Sequence, residues 1–204
     1  MKRLHTKNFL KTLSLTKLYH KYVTYNFRTI SKGKVYKSGV INPDKIVDFL
    51  TEHNIKSVID LRLPGTSDLK NNPEITTEVN AEKLALEKTD TITYFYNGTK
   101  QIPKKKQLKS FFKIMDNPNN YPVLIHCHHG VGRAKLFSAL YRIEYEGWSN
   151  TKARKHTRFI TKWSSFAIGK GKGDFLNNYI KRTDKQPTVI KLKVKKKRPF
   201  KVAT

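Results

Sequence analysis

The sequence is short of acidic residues, contains a single cysteine and has no long apolar run. One cysteine excludes an intrachain disulfide and a four-cysteine zinc site, and it fits a reducing compartment. No run of about 18 apolar residues exists, so no transmembrane helix is predicted. Lys11 and Lys17 interrupt the apolar positions near the N-terminus, which argues against a signal peptide. We expect a cytoplasmic protein, with peripheral contact to the inner face of the membrane as an open alternative.

The shortage of acids leaves a strongly basic chain, because 42 Lys and Arg face 15 Asp and Glu for a net charge of +27. Such a charge attracts polyanions, although a solubilising excess of lysine is the plain alternative. Residues 1–30 contain no acid and are interpreted as a basic leader, and residues 183–204 as a basic tail. These termini are predicted to contact an anionic membrane surface or nucleic acid. The apolar residues of the leader that can line one helical face are Leu10, Leu13, Leu15, Leu18 and Tyr22.

Short apolar segments alternate with amphipathic ones across residues 31–182, the predicted domain. Strands are predicted at 33–40, 57–61, 91–96 and 121–126. Helices are predicted at 74–88, 103–116 and 173–182, and also from Pro43 (capped by Asn42), from Gly132 and after Ser149. The alternation of strand and helix implies a mostly parallel central sheet with helices on its faces. The fold class is therefore predicted to be α/β, as one compact domain.

The segment 126–133 reads HCHHGVGR and joins a predicted strand directly to a predicted helix. At a helix N-terminus the backbone amides and the helix dipole favour a thiolate and can also hold a phosphate. Two glycines let the backbone curl with its amides inward, and an arginine closes the ring with a planar fork. We predict Cys127 as the nucleophile and Arg133 as its catalytic partner. The predicted phosphate-binding residues are His128, His129, Gly130, Val131, Gly132 and Arg133.

Two residues outside the loop are predicted to support it. His126, at the strand end, is expected to hydrogen-bond the loop and orient the thiolate. Asp60 is expected to be a strand-end carboxylate that binds loop amides. The alternatives are a buried structural cysteine or a metal site at the paired histidines. No further His, Asp or Glu within the loop completes a ligand set, so no metal and no other cofactor is predicted.

HCHHGVGR resembles the HCxxGxxR signature of the protein tyrosine and dual-specificity phosphatase superfamily. The segments VYKSG at 35–39, IKSVIDLR at 55–62, YPVLIHC at 121–127 and SALYRI at 138–143 with EGWS at 146–149 are similar to bacterial dual-specificity-type phosphatases. The resemblance covers roughly residues 30–182. It implies a cysteine-phosphatase fold without a metal, and hydrolysis of phosphomonoesters through a thiophosphate intermediate. The substrate is expected to be phosphotyrosine, or, because of the positive charge, an anionic phosphoinositide or lipid phosphate.

Two positions depart from the family pattern. Ala134 stands where the family usually has a Ser or Thr whose hydroxyl stabilises the departing thiolate, so breakdown of the intermediate is expected to be slow. The loop at 97–103 should carry an aspartic acid that protonates the leaving group, but it has none, and Asp90 and Asp116 lie outside it. The remaining options are Asp60, Asp68, His128 or His129 as the acid, or a leaving group that needs none. The segment carries lysines instead: Lys100, Lys104, Lys105, Lys106 and Lys109.

The missing acid keeps two other functions open. An RNA 5′-triphosphatase would account for the basic charge and for the missing acid together. A catalytically weak phosphate-binding module would account for Ala134 and for the missing acid. The sequence does not indicate an oligomeric state.

Overall fold

The computed structural model describes residues 15–65, 76–157 and 165–183. The strands are β1 (Arg28–Ser31), β2 (Val35–Ser38), β3 (Ser57–Asp60), β4 (Thr93–Tyr96) and β5 (Val123–His126). The helices are α1 (Pro43–Glu52), α2 (Thr76–Glu87), α3 (Lys105–Asp116), α4 (Arg133–Tyr145), α5 (Asn150–Thr157) and α6 (Gly171–Asn177). A π-helical turn at His20–Thr24 precedes β1, and a 3-10 turn at Pro118–Asn120 precedes β5.

The five strands form one sheet in the order β1-β2-β5-β3-β4. The β1–β2 hairpin is antiparallel, and every other neighbouring pair is parallel. The predicted α/β class with a mostly parallel central sheet is therefore confirmed. Two predicted caps are also present: the side chain of Asn42 accepts from the Asp44 amide at 2.9 Å, and that of Ser149 accepts from the Lys152 amide at 3.2 Å.

Each face of the sheet has its own hydrophobic core, because alternate strand residues point to opposite faces. Ile59 and Ile125 face α3, α4, α5 and α6, where Phe111, Phe137 and Leu140 are fully buried. Val58 and Leu124 face α1 and α2. The cysteine loop that follows β5 therefore leaves a strand that is covered on both sides, which fixes its starting point.

The end of the predicted leader packs into this domain. Tyr25 and Phe27 are buried with α1, and β1 begins at Arg28. The ring of Phe27 stacks on Tyr36 and meets Phe49 edge-on. Leu10 and Leu13 lie outside the described residues. The leader residues Leu15, Leu18 and Tyr22 are solvent-exposed.

The chain segment around residue 182 is held by ion pairs. The Arg182 guanidinium donates to both carboxylate oxygens of Asp116 at 2.8 and 3.0 Å, and it approaches the Glu144 carboxylate at 3.4 Å. Asp116, at the end of α3, is thus engaged in a structural contact. Among the described residues, no helix has the length and apolarity needed to cross a membrane.

Candidate active site

The carboxyl ends of four strands meet at one edge of the sheet. Register pairs Ser38 with His126, His126 with Asp60, and Asp60 with Tyr96. The segments that follow these strands, including Cys127 and the loop at 97–103, therefore emerge side by side. Ligands of parallel α/β sheets bind at such an edge.

The cysteine loop, residues 127–133, has its carbonyl groups turned away from its centre and held by the surrounding protein. The His128 carbonyl accepts from the Val40 amide at 2.8 Å, and the His129 carbonyl accepts from the Asn26 side chain at 3.1 Å. Within the described part of the chain, the amides of residues 129–132 donate no hydrogen bond. A curled backbone with outward carbonyls and free amides is a concave anion-binding surface.

Gly130 is required at its position for two reasons. Its φ of +70° lies in the left-handed region, and a Cβ there would lie 2.6 Å from the backbone of Ser38 and Gly39. Any other residue would push the loop off β2. Gly130 was predicted to let the loop curve. Its close approach to the end of β2 is a second reason for a glycine at this position.

Lys37, on β2, lies beneath the loop and was not identified from the sequence. It is 4% exposed, and its ammonium group donates to the Gly130 carbonyl at 3.0 Å and to the Asn26 carbonyl at 3.1 Å. Burial lowers the pKa of Lys37 to about 7; Lys135 and Arg28 act in the same direction, and Cys127 opposes it. The lysine thus anchors the loop and places a positive charge next to the thiol, which is itself 3% exposed.

Anion affinity should fall as pH rises through about 7, because Lys37 then loses its proton. We expect sulfate, whose charge is constant in this range, to bind about tenfold more weakly at pH 8.5 than at pH 6. Calorimetry in a Cys127→Ser background excludes any contribution from the thiol. Lys37→Met should bind weakly with a flattened pH dependence, whereas the exposed-lysine control Lys56→Met should behave as the parent. An unchanged pH dependence in Lys37→Met would refute this role.

Arg133 is anchored at the first turn of α4. Its guanidinium donates to the carbonyls of Leu61 at 3.0 Å and Thr99 at 3.3 Å, the segments that follow β3 and β4. The side chain is 2% exposed. These contacts tie the arginine to both neighbouring loops and orient its planar fork at the edge where the cysteine loop opens.

His126 and Asp60 belong to a buried charge cluster, which we define as Asp60, Arg62, Glu82 and His126. Arg62 donates its Nε and Nη2 to the Asp60 carboxylate and its Nη2 also to Glu82 at 2.7 Å. His126 Nε2 lies 2.9 Å from Glu82 and 3.5 Å from Asp60. All four side chains are at most 2% exposed. His126 was predicted to hydrogen-bond the loop, whereas its ring lies against the carboxylates of Glu82 and Asp60.

With His126 protonated, the cluster carries two positive and two negative charges. Burial opposes protonation of His126, but the charges of Glu82 and Asp60 outweigh burial and raise its pKa. Burial also opposes ionisation of Asp60, but His126 and Arg62 outweigh it and lower its pKa. Tyr94 donates its hydroxyl to Asp60 at 2.9 Å. Several donors thus favour the ionised form of Asp60, which makes it unsuited to protonating a leaving group.

Asp60, Glu82 and His126 also have the spacing of a metal site, since one ligand atom from each lies within 4.8 Å of the others. Arg62 already bridges both carboxylates, so a cation would have to displace a guanidinium that makes four hydrogen bonds to them. The donor chemistry fits an ion-pair network better than a metal centre.

The loop at 97–103, which we call the acid-free loop, lies against the cysteine loop. Its Thr99 carbonyl binds Arg133, and the amide oxygen of Gln101 would lie 3.1 Å from a Cβ placed on Gly132. Asp90 precedes β4 at the opposite edge of the sheet, Asp116 pairs with Arg182, and Asp68 lies outside the described residues. Among the described residues of this loop, the side chain placed against the cysteine loop is an amide and not a carboxyl group.

Ala134 is fully buried in the first turn of α4. Its carbonyl accepts from the Ser138 hydroxyl at 2.7 Å, so that hydroxyl is directed along the helix. Ala134 therefore has only a methyl group directly after Arg133, where a serine or threonine would place a hydroxyl close to the cysteine loop.

Comparison with known proteins places this geometry in a family. The family model described as a DSP-PTPase phosphatase fused to NAD+ kinase matches residues 27–168. No curated relative matches the sequence.

Solved structures share the fold. The core catalytic domain of the PP-IP phosphatase Siw14 from S. cerevisiae, in complex with citrate, is 21% identical with a TM-score of 0.55, covering 76% of this chain and 86% of that one. A second structure of the Siw14 catalytic core is 20% identical with a TM-score of 0.54, covering 76% and 85%. TpbA from P. aeruginosa is 21% identical with a TM-score of 0.48, covering 66% and 73%. The family match, on a chain with this fold and cysteine loop, shows that the protein is a phosphatase of the dual-specificity type and belongs to the protein tyrosine phosphatase superfamily.

Proposed function

We propose that the protein hydrolyses strongly anionic phosphate compounds through a thiophosphate intermediate on Cys127. The observation that carries the proposal is the pairing of a complete anion cradle with an acid-free loop. The cradle comprises the amides of residues 129–132, the Arg133 fork and the buried Lys37. The neighbouring loop places the Gln101 amide, and not a carboxyl group, against Gly132.

Hydrolysis takes place in two steps, and the bonds formed and broken involve only Cys127, the substrate and water. The Cys127 sulfur attacks phosphorus, the bond from phosphorus to the leaving oxygen breaks, and its electron pair stays on that oxygen. Water then attacks the thiophosphate, releasing inorganic phosphate and regenerating the thiolate. Arg133 and the loop amides bind the phosphoryl oxygens in both steps.

The leaving group decides between substrates. Loss of a general acid slows departure of an alkoxide or phenoxide by about 10²–10⁴-fold. A leaving phosphate is stable as an anion and needs no proton. This favours inositol polyphosphates and other polyphosphorylated molecules over phosphotyrosine, and the structurally similar Siw14, a PP-IP phosphatase, acts on a compound of that class.

A substrate panel tests the proposal. The wild-type protein should turn over inositol polyphosphates carrying a diphosphate group at least tenfold faster than a phosphotyrosine peptide. The leaving group of the inositol compound is a phosphate and requires no acid, whereas the phenoxide of phosphotyrosine does. Phosphate release gives the rates. A preference for the phosphotyrosine peptide would contradict the substrate class, and binding of all compounds without turnover would identify a phosphate-binding module instead.

The intermediate should be observable by acid quench and mass spectrometry as a phosphate on Cys127. Because Ala134 offers no hydroxyl to the departing thiolate, this species should accumulate during turnover. Ala134→Ser should shorten its lifetime about tenfold. Absence of any phosphocysteine in both proteins would count against the covalent route.

An RNA 5′-triphosphatase is the second candidate. Cleavage of a terminal phosphate from a triphosphate also releases an anionic leaving group, and the net charge of +27 suits a nucleic-acid partner. Including triphosphate-ended RNA in the same panel separates the two, since only a triphosphatase should prefer it to the inositol compounds.

A further inference from the structure

We propose that Lys172 and Gln101 form a second phosphate subsite beside the cysteine loop, which binds the leaving group when that group is itself a phosphate. This rests on the proposed function and adds the residues that replace the missing acid. Lys172 is the second residue of α6, and Gln101 belongs to the acid-free loop. Neither was identified from the sequence.

The two polar tips converge on one point of the cysteine loop. A Cβ placed on Gly132 would lie 3.1 Å from the Gln101 amide oxygen and 3.4 Å from the Lys172 ammonium nitrogen. Gly132 directly precedes Arg133, so the ammonium and the amide lie against the part of the cysteine loop that leads into the arginine proposed to bind the transferred phosphoryl group. The Gln101 oxygen is buried and has no hydrogen-bond partner among the described residues. An oxygen cannot donate to a phosphate, so phosphate binding requires the same amide to rotate and present its Nε2 hydrogens.

Lys172 is held in place by the packing of its helix. Gly173 allows α6 to lie on the preceding turn, because a Cβ there would meet the Ala167 carbonyl oxygen at 1.9 Å. Leu176 and Phe166 are buried in the core beneath it. The ammonium lies 5.7 Å from the centre of the Phe166 ring and 3.4 Å from the Ser165 hydroxyl. The cation is therefore positioned by folded structure at the rim of the site.

The positive charge of Lys172 favours substrates whose leaving group is a phosphate. Lys172 adds a positive charge beside the cysteine loop that Arg133 closes, and two cations at one site are best compensated by a ligand with two anionic groups. When the bond from phosphorus to the second phosphate breaks, its electron pair goes to the leaving oxygen. An ammonium at that oxygen stabilises the developing charge directly, without donating a proton. A leaving group without a second phosphate brings fewer anionic oxygens to the ammonium and gains less from it.

Calorimetry with inorganic phosphate and inorganic pyrophosphate tests the subsite in a Cys127→Ser background, where no turnover occurs. Lys172→Met should weaken pyrophosphate binding about ten- to hundredfold and phosphate binding less than about threefold, because only pyrophosphate reaches the subsite. Lys172→Arg should retain most of the pyrophosphate affinity. The control Lys113→Met removes an exposed lysine at the far end of α3 and should match the parent. Equal losses for both ligands in Lys172→Met, or none for pyrophosphate, would overturn the subsite.

Kinetics separate this inference from the proposed function. With Cys127 present, Lys172→Met should lower kcat/KM for pyrophosphate about 10²-fold and for p-nitrophenyl phosphate less than about fivefold. If both substrates are hydrolysed in a Cys127-dependent way but fall equally, the subsite is refuted and the proposed function stands. If neither substrate is turned over, the proposed function fails, and the binding measurement alone decides the subsite.

Discussion

Cys127→Ser should abolish hydrolysis of every substrate, with kcat falling on the order of 10⁴-fold or more, while the protein still binds phosphate. A serine hydroxyl is far less acidic than a thiol, so the attacking anion is lost. The cradle is untouched, since it consists of loop amides, Arg133 and Lys37. Steady-state rates with p-nitrophenyl phosphate measure the loss, and calorimetry with inorganic phosphate measures the retained binding.

The single cysteine allows a second readout on the wild-type protein. Alkylation by iodoacetamide can modify only Cys127, so one added mass should accompany complete inactivation, and bound phosphate should slow both together. Ser138→Ala is a matched control, because it removes a buried hydroxyl on α4, the helix after the cysteine loop, that hydrogen-bonds within the helix. Near-wild-type rates in Cys127→Ser would remove the cysteine from the mechanism.

Features set by local sequence were predicted well. The strands at 57–61 and 121–126 and the helix from Gly132 are short apolar patterns with clear boundaries, and the structure places β3, β5 and α4 there. The curvature of the cysteine loop follows from the positive φ of Gly130. Neither requires knowledge of distant residues.

Residues brought in by tertiary packing were not predicted. Lys37 lies under the loop because β2 pairs with β5 in a register that no local pattern reveals. Lys172 reaches the site from a helix about 40 residues away in sequence. Glu82 did leave a signal, since it shares the buried face of α2 with Val79 and Leu86 at spacings of three and four residues. A carboxylate on an otherwise apolar helix face indicates a buried cationic partner.

Arg62→Met should produce the largest loss of stability, about 3–5 kcal/mol in the free energy of unfolding. Arg62 is 1% exposed and bridges Asp60 and Glu82, so its removal leaves two carboxylates buried with only His126 as a counter-charge. A loss of that size is a large part of the about 5–15 kcal/mol typical of a folded domain. Urea denaturation followed by tryptophan fluorescence measures it.

Two further variants separate loss of charge compensation from loss of packing. Glu82→Gln in the Arg62→Met background should recover part of the stability, because it removes one of the carboxylates left without its guanidinium. Lys83→Met breaks the neighbouring Lys83–Glu87 pair on the same helix, which is 3.6 Å long and about half exposed. That pair should contribute less than about 1 kcal/mol. An Arg62→Met protein as stable as Lys83→Met would show that the buried charge cluster does not hold this edge of the sheet. Because His126 directly precedes Cys127, destabilising the cluster should also lower phosphate affinity, whereas Lys83→Met should leave that affinity unchanged.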